Sequence, residues 1–221
     1  RLIEEGGIFV ATKGERVDGH DFIGQVFEKG ALAVICERIP LRPAGPCIVV
    51  DDSFAALKKL AKYYRDQLSV RIVGIVGSVG KTSTKEIVAS TLSARFEVLR
   101  TEGNFNNEVG VPLTIFKIRD AHEVAVIEMG ISDFGEMDRL GEIVRPDIVV
   151  FTNIGPCHLE FLGDLDGVLK AKTEIIPHMA PSGTLVLNGQ DEKLAQIEHQ
   201  KFAFLCVHPL KTYSYRIFAK L

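Results

Sequence analysis

Residues Gly77-Ser78-Val79-Gly80-Lys81-Thr82-Ser83 follow a β-branched apolar run, Arg71 to Val76, and open a helical pattern. Glycines at these two positions let successive backbone N–H groups converge on phosphate oxygens with no Cβ in the way. The helix that follows aims its positive dipole end at the same place. Lys81 adds a charge, and the Thr82 hydroxyl suits Mg²⁺. The spacing therefore predicts a phosphate-binding loop for a nucleoside triphosphate, contacted by Gly77, Ser78, Val79, Gly80, Lys81, Thr82 and Ser83. The match is to the short Gly-x-x-Gly-Lys-Thr form, because Ile75 stands where the longer pattern has its first glycine. An ordinary strand-to-helix turn explains the glycines and leaves the Lys-Thr pair without a reason.

Two further apolar runs end on polar residues, and in a parallel sheet ligands gather at the carboxyl ends of strands. Val126-Ile127-Glu128-Met129-Gly130 puts a carboxylate there. Glu128 is a candidate ligand for nucleotide-borne Mg²⁺, which prefers oxygen donors and accepts few carboxylates; the bland alternative is a capping or solvated acid. Phe151-Thr152-Asn153-Ile154-Gly155-Pro156-Cys157-His158 repeats the pattern, with His158 either a metal ligand or an ordinary loop histidine. Between these lies Thr101 to Pro112, where Asn104, Asn106 and Asn107 supply neutral donors and acceptors suited to phosphate, sugar or metal-bound water, or simply to turns.

The elements that must position these residues alternate short strands with longer helical patterns, which predicts a parallel α/β fold. Strands are expected at Ile8 to Ala11, Ala31 to Cys36 and Cys47 to Val50, with a short helix over Asp21 to Lys29. A helix capped by Ser53 runs to about Leu68, with Leu57, Leu60, Ala61, Tyr64 and Leu68 on one face. A small N-terminal α/β domain ends near Ser69. A second unit follows, with a strand at Arg71 to Val76, a helix from Lys81 to about Ala94, and strands at Glu123 to Glu128, Asp147 to Thr152 and Thr184 to Leu187. Helical patterns cover Phe134 to Val144 and Leu165 to Met179. The tail from His199 to Leu221 has no clear period.

The 221 residues, 46% hydrophobic, are enough for two domains with real cores. A net charge of −3 offers no basic field for nucleic acid or an anionic membrane, so small molecules are the expected partners. Cys36, Cys47, Cys157 and Cys206 are scattered without metal or redox spacing, which fits reduced thiols in a cytoplasmic protein. No apolar run is long enough to span a bilayer, and nothing resembles a signal peptide. The chain opens at Arg1 without Met, so an earlier start is expected.

Taken together, Gly77 to Glu86, Asn104 to Pro112, Glu128-Met129-Gly130, Thr152 to Glu160 and Lys170-Ala171-Lys172-Thr173-Glu174-Ile175 resemble the Mur ligases. The resemblance is strongest to the branch that adds D-alanyl-D-alanine to UDP-N-acetylmuramoyl-tripeptide in peptidoglycan precursor synthesis. At the start, Gly6 to Ala11 and Asp18-Gly19-His20-Asp21-Phe22 resemble that family's uridine-nucleotide domain, with Arg1 the end of its Asp-Ser-Arg motif.

The resemblance implies ATP and Mg²⁺ as cofactors, and an acyl phosphate as intermediate. It implies Lys81, Lys172 and His158 as catalytic residues, and Thr82, Glu128, His158 and Lys172 as metal ligands, the last as a carbamate. Asn104 and Asn107 join the cofactor-binding set. It further implies residues 1–69 as the UDP-muramoyl-peptide domain, residues 70–221 as an incomplete ATP domain, an absent third domain, and a monomer. Another Mur-type ligase with an amino-acid acceptor, and a nucleotide-binding module without ligase chemistry, stand as rivals.

Overall fold

The structure, a computed structural model, describes residues 3–14, 17–197, 203–207 and 215–216, the last two stretches as backbone strands. Arg1 and most of the tail from His199 onward lie outside the described residues. The chain divides into two compact units, Arg1–Leu60 and Ala61–Leu221.

In the first unit, β1 (Ile8–Val10), β2 (Ala33–Cys36) and β3 (Cys47–Val49) form a parallel sheet in that order, with α1 (Ile23–Glu28) between β1 and β2 in sequence. Ala11, Ile23, Val26, Val34 and Cys36 make its core. The Asp18-Gly19-His20 stretch is locked by Asp18, whose Oδ1 accepts the His20 backbone N–H at 2.9 Å and lies 2.6 Å from His20 Nδ1. Because His20 Nε2 accepts the Glu37 N–H at 2.9 Å, the ring proton belongs on Nδ1, facing Asp18. Helix α2 (Ser53–Asp66) is the element in which the two units meet in sequence, at Leu60 and Ala61, whereas the spacing predicts a division near Ser69. Its cap is Asp52, whose Oδ1 accepts the Ala55 N–H at 2.9 Å. Ser53, expected in that role, is instead buried and donates to the Ala11 carbonyl at 2.8 Å.

The second unit runs β4 (Arg71–Val76), α3 (Lys81–Leu92), β5 (Val98–Arg100), α4 (Gly110–Ile115), β6 (Val124–Glu128), α5 (Glu136–Val144), β7 (Ile148–Phe151), α6 (Leu159–Leu162), α7 (Leu165–Thr173), β8 (Thr184–Asn188), β9 (Ala203–Val207) and β10 (Tyr215–Arg216). The sheet order is β10-β9-β8-β7-β4-β6-β5, parallel throughout except where β10 pairs with β9. β4 is buried from Ile72 to Val76, as a strand covered on both faces must be. Its side chains alternate between two cores. Ile72 and Val76 join Leu140 and Val144 of α5 and Ala171 of α7, while Val73 and Ile75 join Ala89 of α3 with Val124 and Val126. Each such valine, leucine or isoleucine side chain contributes roughly 1.5–3 kcal/mol by leaving water.

The α/β class and the parallel sheet agree with the sequence expectation. The helix expected over Leu165 to Met179 stops at Thr173, because Pro177 has no N–H to offer the Thr173 carbonyl, and a 3₁₀ turn over Ile176–His178 follows. Among the described residues no helix is long and apolar enough to cross a membrane.

Candidate active site

β4 is flanked by β6 on one side and β7 on the other, so the chain leaves β4 in one direction and returns across it. That reversal opens a crevice beyond the carboxyl ends of the strands. Three segments converge there: the loop after β4, the end of β6 and the loop after β7.

The loop after β4 has the shape its glycines require. Gly77 has φ +152°, and a Cβ on it would run into Thr152 Oγ1; Gly80 has φ +78° and is the capping residue just before α3. The segment after β7 fastens this loop. Thr152 Oγ1 donates to the Val79 carbonyl at 2.7 Å, and Asn153 Oδ1 accepts N–H groups from Val79 at 2.9 Å and Ser78 at 3.2 Å. Ser78 Oγ also receives the Gly155 N–H at 2.9 Å. Lys81 folds its Nζ back to donate to the carbonyls of Gly77 at 2.9 Å and Ser78 at 3.2 Å. Val79, Gly80, Thr82 and Ser83 are exposed, and the first N–H groups of a helix such as α3 have no intrahelical acceptor. The arrangement suits a polyphosphate.

Glu128, the last residue of β6, is 2% exposed. Its Oε1 takes the Thr82 hydroxyl at 3.3 Å and the Asn106 side-chain amide at 2.8 Å, and its backbone N–H donates to Thr101 Oγ1 at 2.9 Å. Oε2 is buried and has no hydrogen-bond partner. A hydroxyl and an under-satisfied carboxylate side by side are the hard oxygen donors that Mg²⁺ takes, so the residues present fit the ion. Among the described residues no group of three His, Cys, Asp or Glu side chains gathers to hold a metal.

Lys172 on α7 is 2% exposed. Burial, with the Lys81 ammonium adding to it against an opposing contribution from Cys157, pushes its amine from the ordinary 10.5 down to about 8. Those neighbours place Lys172 beside the phosphate loop, since Cys157 Sγ lies 3.3 Å from Ser78 Oγ. His158 has a left-handed backbone, φ 50°, its carbonyl accepts the Leu162 N–H at 2.9 Å, and its side chain is exposed.

The structure thus brings Thr82 to Glu128, and buries Lys172 where the charge of Lys81 acts on its amine. The asparagines divide differently from the sequence reading. Asn104 is exposed, and Asn107 spends its Oδ1 on the N–H groups of Gly110 at 2.8 Å and Val109 at 3.2 Å, at the start of α4. Asn106 is the one that reaches Glu128. It stood in the same cluster, but only the placement of that loop against the end of β6 singles it out. Asn153 was likewise visible as part of a polar strand end, without a sign that it would hold the phosphate loop.

Comparison with known proteins matches residues 75–215 to the Mur ligase middle domain and residues 1–65 to the Mur ligase family catalytic domain. The UDP-N-acetylmuramoyl-tripeptide–D-alanyl-D-alanine ligase of Bacillus subtilis is 43% identical over 89% of this chain and 43% of its own length. The enzyme of that name from Escherichia coli is 39% identical over 86% of this chain and 42% of its own. Among solved structures, MurF from Acinetobacter baumannii superposes with TM-score 0.86 at 38% identity, over 92% of this chain and 45% of that one. MurF from Thermotoga maritima in complex with ADP gives 0.84 at 37%, over 92% and 48%. The chain spans less than half the length of each of these relatives. On the family matches and these identities, the chain belongs to the Mur ligase family.

Proposed function

We propose that the chain serves ATP-dependent amide ligation, joining D-alanyl-D-alanine to UDP-N-acetylmuramoyl-tripeptide in the cytoplasm. The observation that carries this reading is the contact between Thr82 of the phosphate loop and the buried carboxylate of Glu128. The names of the similar enzymes, and the ADP in the Thermotoga maritima structure, support the substrates and the nucleotide.

In this reaction a carboxylate oxygen of the tripeptide attacks the γ-phosphorus of ATP, and the bond from that phosphorus to the ADP oxygen breaks. The amine of D-alanyl-D-alanine then attacks the acyl carbon, loses a proton, and inorganic phosphate departs. Both partners of the first step are anionic, so the site's main task is to offset their repulsion. Lys81 turns from the loop carbonyls to the phosphates, and the amides at the start of α3 hold the same oxygens. Thr82 and Glu128 would hold Mg²⁺, with His158 approaching from the β7 loop, and the ion when bound supplies positive charge at the phosphate oxygens.

Lys172 acts as a carbamate. With its amine near 8, a useful fraction is neutral at physiological pH, and that nitrogen forms a bond to CO₂ and releases a proton. That anion would help hold the metal, which an ammonium would repel. Residues 1–69 hold the UDP-muramoyl peptide, and the protein works as a monomer.

The test is phosphate release and product mass with the complete protein, ATP, Mg²⁺, the UDP-tripeptide and D-alanyl-D-alanine, each omitted in turn. Phosphate release that needs both organic substrates is expected. Turnover with a diamino acid or glutamate as acceptor, or nucleotide binding indifferent to the UDP-peptide, would overturn the proposal.

A further inference from the structure

On α3, one turn beyond Thr82, stands a lysine that neither phosphate binding nor metal binding has used. Lys85 is 0% exposed, although lysine is almost never fully buried without a partner. Its Nζ has no hydrogen-bond partner, and neither does Glu128 Oε2. These two buried atoms of opposite charge face one another at 3.7 Å. On its outer side Lys85 Nζ lies 3.1 Å from Glu86 Oε1, and Glu86 Oε2 takes the Arg100 guanidinium at 2.8 Å.

Residues three apart share a helix face, so α3 presents Thr82 and Lys85 together to the end of β6. Thr82 meets Oε1 of the carboxylate and Lys85 faces Oε2. We infer that Lys85 is a positioning residue for nucleotide-bound Mg²⁺: it holds Oε2 of Glu128 so that Oε1 stays turned toward Thr82 and the phosphate loop. The inference rests on the nucleotide and metal reading above, and assigns a function to a residue outside that set. The bland alternative is that Lys85 merely ties Glu86 and Arg100 to the helix.

The experiment is Mg²⁺ titration of ADP binding to the complete protein, by calorimetry, beside ADP binding in chelator and thermal unfolding without ligand. Groups that orient a metal's own ligands are typically worth about 10- to 100-fold in metal affinity. Lys85→Met is expected to raise the Mg²⁺ needed for half-saturation by that order and to leave metal-free ADP affinity unchanged. Glu86→Gln is expected to stay near the unmutated value. In a Glu128→Gln background, where there is no charge left to orient, adding Lys85→Met is expected to change the Mg²⁺ requirement less than twofold. If Lys85→Met alone does not fold, Lys85→Gln, which keeps a polar side chain but no charge toward Oε2, takes its place, with a raised Mg²⁺ requirement expected and an unchanged one overturning the inference.

An unchanged or lowered Mg²⁺ requirement in folded Lys85→Met overturns the inference. So does an equal loss in metal-free ADP binding, an effect that persists in the Glu128→Gln background, or a Glu86→Gln variant that reproduces it. Absence of Mg²⁺-dependent ADP binding by the unmutated protein would instead sink the nucleotide reading, and the inference with it.

Discussion

Thr152 Oγ1 occupies the space that a Cβ on Gly77 would need, and the same hydroxyl donates to the Val79 carbonyl at 2.7 Å. The β7 loop and the phosphate loop are therefore fitted to each other at a point where only glycine serves. Gly77→Ala forces both a clash and a φ of +152° on a residue with a side chain. Strain of this kind costs about 1–3 kcal/mol. A lower thermal midpoint and weaker ADP binding are expected; a variant that melts and binds normally would refute the fit.

Lys81→Ala removes charge rather than core. Its contacts are the carbonyls of Gly77 and Ser78, so circular dichroism and the melting curve should stay close to those of the unmutated protein. Loss of one preorganised charge-stabilising group typically lowers kcat by roughly 10²- to 10³-fold. Retained turnover in the complete enzyme would mean that the loop does not serve the reacting phosphate.

Asn106→Ala deletes the 2.8 Å hydrogen bond to Glu128 Oε1. About a tenfold increase in the Mg²⁺ concentration for half-maximal activity is expected. Affinity for the UDP-peptide, measured in parallel, should not move if, as proposed, that substrate binds residues 1–69.

For Lys172, activity should rise with bicarbonate. Lys172→Arg should be inactive, since a guanidinium cannot become an anion. Lys172→Ala should regain part of its activity when a small carboxylic acid is added. Full activity in Lys172→Arg would refute the carbamate.

Acid stability offers an independent check in the first unit. The His20 backbone N–H, then its ring, holds the Asp18 carboxyl down from 3.8 to about 2. A carboxyl lowered in the folded state lends stability that is fully present above the unfolded value and lost as pH falls through the folded one. Asp18→Asn should therefore flatten the decline in stability between about pH 4 and pH 2, while its melting curve at pH 1.5 matches that of the unmutated protein.

Much of this architecture was legible in the residues. The unbroken apolar run of β4 and the Gly-Lys-Thr turn announced a strand, a loop and a helix, because backbone freedom and periodicity act locally. β5, with Val98–Arg100, is not legible because three residues carry almost no period, and neither is α4, because Asn104 to Asn107 have turn composition and only the fold shows Asn107 satisfying the N–H groups that open the helix. The choice of Asn106 over its neighbours and the pairing of Lys85 with Glu128 depend on which strands lie side by side. A single sequence does not state that.

The grip of Asn153 on the amides of Ser78 and Val79 has a kinetic consequence. A loop whose backbone is already hydrogen-bonded into shape has little conformational freedom left to surrender when nucleotide arrives. Its ordering takes place during folding, not during capture. Association should then be governed by diffusion and by the charge of Lys81, with a rate that falls as salt is added and shows no slow closing phase.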